Sequence, residues 1–316
     1  MPRIPIQCNN FPDRSGVYSR EEDFSWDDIL WAAITVGRAN WLHVFQHGNS
    51  SLWEMICRAA MVRMTLRTDR NEQHYYCSRV FRALDPSEKG AVSYFVGMII
   101  CKLFAERFLQ VPWLMHLDKY RSQINIGLLS GRSRPDLIGH SLSGDWVVFE
   151  SKGRSSKPYR EDKNKAKIQA SRISQINNQQ VRYNIALFSY YANDDCLEVY
   201  CEDPPADEQE EIHLTVKPDM LIQTYYNPLI EFIGERALRT QLDTGEFTSI
   251  EQDDFSIGIE QELIESLLKE DFRGANEYLA KSVDRRTNEK NAGVYKLDGV
   301  CVKAGETWKK LFYEET

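Results

Sequence analysis

Arg132-Ser133-Arg134-Pro135-Asp136-Leu137-Ile138-Gly139-His140-Ser141-Leu142-Ser143-Gly144-Asp145-Trp146-Val147-Val148-Phe149-Glu150-Ser151-Lys152 is the stretch on which the fold turns. Trp146 to Phe149 is apolar on both faces, as in a central strand covered on two sides. The run ends abruptly in Glu150-Ser151-Lys152. Alternate residues of a strand share a face, so Glu150 and Lys152 project together and Ser151 points away. A carboxylate and an ammonium at the end of a buried strand are costly unless they find partners. A divalent cation shared with a second carboxylate is one such partner. Asp136 lies on the preceding strand of the expected hairpin, before the tight turn at Ser141–Asp145, and can supply that carboxylate. Two carboxylates and a backbone carbonyl form a hard-oxygen set suited to magnesium or manganese.

Outward from this hairpin the pattern is α/β. Apolar residues at Val92, Phe95, Val96, Ile99, Ile100, Leu103 and Phe104 form a helical stripe from Val92 to Phe108. Strands are expected at Ile124–Leu129, Asp136–His140 and Trp146–Phe149. A polar helix follows over Tyr159–Ile176, then strands at Ile185–Tyr191 and Leu197–Tyr200. This order predicts a mixed sheet flanked by helices. Residues 1–90 read as a helical, aromatic-rich region, with Ser25 capping a helix from Trp26 and Asp28 completing a weak capping box. Asp85–Gly90 reads as a turn and a boundary. The core then spans 91–235, with a helix from Met220 to Gly234, and an acidic C-terminal region covers 236–316.

The hairpin's residues resemble the PD-(D/E)XK nuclease superfamily, the restriction-endonuclease-like fold. The matching positions are Pro135-Asp136 and Glu150-Ser151-Lys152, and the resemblance covers roughly Val92 to Tyr200, about a third of the chain. A second E-x-K, Glu161-Asp162-Lys163, lacks the apolar strand before it. The resemblance implies that Asp136 and Glu150 hold Mg2+ or Mn2+, with the Ser151 carbonyl as a third ligand. Lys152 would position the attacking water for hydrolysis of a phosphodiester. It also implies supporting roles for Glu106, on the first core helix, and for Gln169, on the next. DNA rather than RNA is the substrate it suggests, together with a prokaryotic role in defence or repair, protein partners of such a complex, and a homodimer.

Charge is distributed to match. Lys152, Arg154, Lys157, Arg160, Lys163, Lys165, Lys167 and Arg172 face only Glu161 and Asp162, giving a local +6 in a chain of −8. Arg132 and Arg134 flank the other arm, and such a basic stripe suits a nucleic-acid backbone. The acidic segments Glu202–Glu211 and Asp243–Asp271 are candidate competitors for it. The rival to an enzyme is a nuclease-like DNA-binding or assembly module with an idle site. Gly139-His140-Ser141-Leu142-Ser143-Gly144 resembles a hydrolase nucleophile elbow, but a strand rather than a helix is expected after it. His43 and His47 lack the glutamate of a zinc-protease helix.

Other classes fall away. The longest apolar run is about eight residues, against the roughly 20 that span a bilayer. Met1–Ile6 has no apolar leader segment, so a cytoplasmic chain without a membrane partner is expected. Seven cysteines without a CxxC pair read as small buried hydrophobes.

Overall fold

The computed structural model describes residues 1–11, 14–36, 50–69, 71, 73–118, 134–204, 212–217, 219, 221–223, 225–226, 238–242, 245–252, 254–284 and 296–309. Helices α1 (Trp26–Thr35), α2 (Ser50–Thr65), α3 (Arg79–Ala83), α4 (Pro86–Leu109), α5 (Arg160–Ser171), α6 (Gln261–Leu268), α7 (Phe272–Lys281) and α8 (Glu306–Lys309) pack with four sheets. The largest sheet has seven strands: β1 (Arg3–Phe11), β2 (Arg14–Asp23), β5 (Trp113–His116), β6 (Leu137–His140), β7 (Trp146–Gly153), β10 (Tyr183–Tyr191) and β11 (Leu197–Glu202). Their spatial order is β2-β1-β11-β10-β7-β6-β5, with β10 parallel to β7, β1 parallel to β11 and the other neighbours antiparallel.

The mixed sheet flanked by helices is therefore present. Strand β7 sits deep within it and runs four residues past the expected Phe149, taking in the Glu-Ser-Lys triplet. The polar helix is shorter than Tyr159–Ile176. It stops at Ser171, and Ile173–Ile176 forms β8, which pairs with β9 (Gln179–Gln180) and with β12 (Ile212–Leu214). Ile173 and Ile176 are fully buried, and β-branched residues favour an extended chain over another helical turn.

Helix α4 covers one face of the sheet and α5 the other. Ala166 and Ala170 of α5 pack on Ala186 and Phe188 of β10. Gly97 of α4 approaches Gly153 so closely that a Cβ on Gly153 would lie 1.6 Å from the Ser93 carbonyl oxygen. Asp85–Gly90 is not a turn but the start of α4. Asp85 accepts from the Ser87 and Glu88 backbone N–H, Glu88 accepts from the Asp85 N–H, and Pro86 occupies the first turn. An acid, a proline and a glutamate in that order are a helix-start signal. The expected box at Ser25 and Asp28 also forms.

Residues 1–90 hold more than helices. Strands β1 and β2 form a hairpin that extends the main sheet through β11, and β3 (Leu66–Thr68) pairs with β4 (Tyr75–Cys77). Alternation in Arg3–Phe11, with Ile4, Ile6, Cys8 and Phe11 buried, is the strand signal behind this. The acidic C-terminal region is also folded. β13 (Leu238–Leu242), β14 (Gly245–Gln252), β15 (Phe255–Glu260) and β16 (Val300–Ala304) form a four-stranded sheet, and β16 packs on α1. One apolar cluster runs from Ile4 to Trp308. Within 219–226 the described residues are helical; the rest of the expected helix to Gly234, His43, His47 and the expected strand Ile124–Leu129 lie outside the described residues.

His140 gives this core a pH dependence. Its ring stacks against Trp113, 6.1 Å between centroids, and lies 4.4 Å from that of Trp146. Burial lowers its pKa from 6.5 to about 4, against a smaller opposing pull from Asp145. The unfolded chain therefore binds the proton more tightly. Stability is fully present above pH 6.5 and is lost as pH falls towards 4, by up to about 3 kcal/mol. Urea titrations across that window should show the loss, and His140→Phe should flatten it.

Candidate active site

The turn between β6 and β7 sets the site. Ser141 Oγ accepts from the Asp145 N–H at 2.9 Å, the Ser141 N–H donates to the Asp145 carbonyl at 2.9 Å, and Gly144 takes φ +91°. This closes the hairpin with His140 opposite Trp146 and Leu137 opposite Phe149. Asp136 itself is not in the strand, which starts at Leu137 rather than at the expected Asp136; it lies in the bend just before β6, at the end of the ladder where β7 continues into Glu150. Ser141 is thus a turn residue, hydrogen-bonded to Ser143 and followed by a strand, which removes the nucleophile-elbow reading.

Glu150 and Lys152 occupy the α5 face, while Asp136, in the bend before β6, bears on Glu150 and also on Tyr94 and Cys101 of α4. The parallel register sets Ala186 beside Glu150 and Phe188 beside Lys152, and both of those β10 residues pack against α5. Ser151 faces α4, where its Oγ borders Gly97. The Ser151 N–H donates to Asp136 Oδ2 at 3.0 Å, which ties the two strands at the site. Lys152 forms an ion pair with Glu150 Oε1, whose side chain is 1% exposed against 30% for the lysine. Neither Glu150 oxygen is matched by a hydrogen bond of normal geometry.

The electrostatics follow from that burial. Desolvation, then the neighbouring Asp136, push Glu150 up to about 8, and Lys152 pulls the other way. Asp136 is also raised, by burial first, with the Ser151 N–H and Lys152 opposing. Two carboxylates therefore compete for little positive charge in a dry place, an arrangement typical of sites that handle protons or cations. Among the described residues no group of three or more His, Cys, Asp or Glu side chains gathers around one point. The protein's side-chain donors are thus the two carboxylates.

The supporting residues divide. Lys163 lies 3.4 Å from the Tyr200 ring centroid and Lys167 pairs with Glu202 at 2.5 Å, so these mark the β11 flank of α5. Gln169 is two residues, about 200° of rotation, from Lys167 and lies on the opposite flank, towards β7. Glu106 does not reach the site. It accepts from the Leu297 N–H at 3.3 Å, and the charges bearing on it are Arg107, Asp298 and Lys102. The face of α4 that meets β7 carries Ser93, Gly97 and Cys101. Glu106 lies five residues beyond Cys101, about 140° round the helix.

Part of the basic stripe is compensated within the protein. Arg134 pairs with Asp118, Arg154 with Asp162 at 2.9 Å, and Lys167 with Glu202. Lys157, Arg160 and Lys165 are exposed, Arg172 is half-buried, and Arg132 lies outside the described residues. Glu202, read as the start of an acidic surface loop, is buried at the end of β11 and also accepts from the Tyr200 hydroxyl at 2.5 Å. Among the described residues no helix is long and apolar enough to cross a membrane. Sequence reading missed the Gly97–Gly153 approach; a glycine directly after the Glu-Ser-Lys triplet was its only trace. The chain matches no family model, no curated protein and no solved structure.

Proposed function

We propose that this protein is a metal-dependent endonuclease of the PD-(D/E)XK type that hydrolyses phosphodiester bonds of DNA. One observation carries the reading: Asp136, in the bend that leads into β6, is tied to β7 by the Ser151 N–H at 3.0 Å and its charge bears on Glu150, with Lys152 two residues along from Glu150 and paired with it. The element order supports it. Helix α4, antiparallel strands β5, β6 and β7, helix α5 and, after the short β8 and β9, the parallel strand β10 come in an order compatible with a restriction-endonuclease-like core.

Magnesium or manganese fits these residues. The Glu150 carboxylate is fully buried, no hydrogen bond of normal geometry reaches either oxygen, and the Lys152 ion pair is its one close counter-charge among the described residues, so a hard dication is a partner it can take up. Asp136, Glu150 and the Ser151 carbonyl would hold it, with water completing the shell. Bound there, a dication lowers the pKa of water and offsets charge on the phosphate. The chain's own residues do the rest. Lys152, partly exposed and already beside Glu150, releases that contact to orient the attacking water and to neutralise a phosphoryl oxygen. The Ser151 N–H holds Asp136 in place, and Gln169, half-buried on α5, would support the site from that helix. Lys157, Arg160 and Lys165 are the exposed cations available to the nucleic-acid backbone.

Supercoiled plasmid with Mg2+ or Mn2+ tests this. Wild type should nick or linearise it, chelation should stop the reaction, and Asp136→Ala should slow it by about 10³-fold or more. Undiminished cleavage by Asp136→Ala would overturn the assignment. A shift in DNA mobility without nicking would favour the idle binding module.

A further inference from the structure

Strands β1 and β11 run parallel with Cys8 directly beside Cys201. Both thiols sit under α4, 2% and 0% exposed, with their sulfur atoms 2.9 Å apart. Cys201 also has the Gln7 carbonyl 3.6 Å from its sulfur. Four further cysteines are buried, and Cys57 is exposed. We propose that Cys8 and Cys201 are a built-in disulfide site, at which a low-molecular-weight disulfide oxidises the pair and fastens the N-terminal hairpin to the central sheet.

The placement is unusual for two core cysteines. Packing alone needs only one small apolar group at each position, with no reason for two sulfurs to meet. Adjacent strands in direct register bring Cα atoms to ~5 Å, inside the range a disulfide spans. Rotation about the two Cα–Cβ bonds is then the only movement the bond requires. The loop it would close runs from Cys8 to Cys201 and encloses α4, β5–β7, α5 and β10, so the crosslink would act on the whole central sheet. A crosslink over so long a loop restricts the unfolded chain strongly.

The chemistry balances without a metal. The Cys8 thiolate attacks one sulfur of oxidised glutathione, forming a mixed disulfide and expelling one glutathione thiolate. The Cys201 thiolate then attacks the Cys8 sulfur, forming the Sγ–Sγ bond and expelling the second glutathione. The two cysteines lose two electrons, the oxidant gains them, and both thiol protons end on glutathione. Burial lifts the Cys201 thiol well above its ordinary range, so exchange waits for β1 to open. That strand lies next to the sheet edge, with the edge strand β2 on its outer side. The pair therefore oxidises slowly in the native state and faster where the hairpin frays.

The test uses the full chain, first fully reduced, then exposed to oxidised glutathione with and without urea below the unfolding midpoint. It is next alkylated in denaturant and mapped by mass spectrometry. The expected product has two of its seven thiols unalkylated. These appear as one Cys8–Cys201 linked peptide, two hydrogens lighter than its reduced parts. Its urea midpoint should rise and return with dithiothreitol, whereas Cys8→Ser should show neither the linked peptide nor the shift. Seven alkylated thiols under both conditions, a glutathione adduct at Cys8 that Cys201 never displaces, or linkage of other cysteines would overturn the proposal. All these readouts are independent of DNA cleavage.

Discussion

Glu150→Gln is expected to stabilise the metal-free protein at pH 8 by about 3 kcal/mol, and to abolish cleavage. Glu150 is fully buried, and burial together with Asp136 raises it from 4.5 to about 8 against the opposing pull of Lys152. The folded chain thus keeps a proton that the unfolded chain has lost. Stability is present below pH 4.5 and is lost as pH rises towards 8. A shift of that size corresponds to ~4–5 kcal/mol, of which the lost Lys152 ion pair takes back part. Glutamine carries no such charge, so the two proteins should converge near pH 4.5 and diverge above it. Urea titrations in a chelator at several pH values measure this directly. Saturating Mg2+ should then stabilise wild type at pH 8, by ~2.7 kcal/mol at a hundred times its dissociation constant, and leave Glu150→Gln nearly unmoved. Equal stabilities in chelator across the range would mean that water reaches Glu150 freely. Equal responses to Mg2+ would place the cation elsewhere.

The sequence carried the centre of this site because its signals are local. A two-sided apolar run, a glycine-containing turn and residues of period two fix which side chains share a face, and all lie within Arg134–Lys152. The strands around β7 and β10 were legible for the same reason. What failed was long-range or rested on helical phase. The resemblance implies a site role for Glu106 on the first core helix, but from Val96 to Ala105 α4 is buried around its whole circumference, so its apolar stripe does not say which face meets β7. That information resides in Gly97 and Gly153, which are far apart in sequence and meet only in the fold. The pairing of β1 with β11 joins residues almost 200 positions apart, and no local pattern announces it. The basic residues of α5 and of the hairpin's other arm read as a free stripe because their partners lie elsewhere: Lys167 of α5 meets Glu202 on β11, and Arg134 before β6 meets Asp118 beyond β5.

The least legible feature is also where a single substitution should be most damaging. Asp298→Ala is expected to destabilise the protein by about 3–5 kcal/mol. Asp298 is fully buried and accepts from the Tyr225 hydroxyl at 2.5 Å, the Trp31 indole N–H at 3.0 Å and the Val300 N–H at 3.0 Å. Lys102, fully buried too, donates to the same Tyr225 hydroxyl at 2.9 Å and lies 4.6 Å from the Trp31 ring centroid. Lys296 faces the other part of that ring and pairs with Asp28. Desolvation lowers both lysines to about 8, with Asp298 the strongest pull in the opposite direction. This cluster joins the turn before β16 to α1, α4 and the helical residues around Tyr225. Removing the carboxylate would leave the Lys102 ammonium in a dry pocket without its strongest counter-charge, while Lys296 keeps Asp28, and would break the link between the C-terminal sheet and the core. Pairing Asp298→Leu with Lys102→Met should recover much of the loss, because a charge removed with its partner leaves nothing uncompensated. A double-mutant cycle by urea denaturation measures the coupling. Additive losses would show that the two groups do not depend on each other. A double variant closer to wild type than either single one would identify the buried pair as the element that fixes how the C-terminal sheet docks.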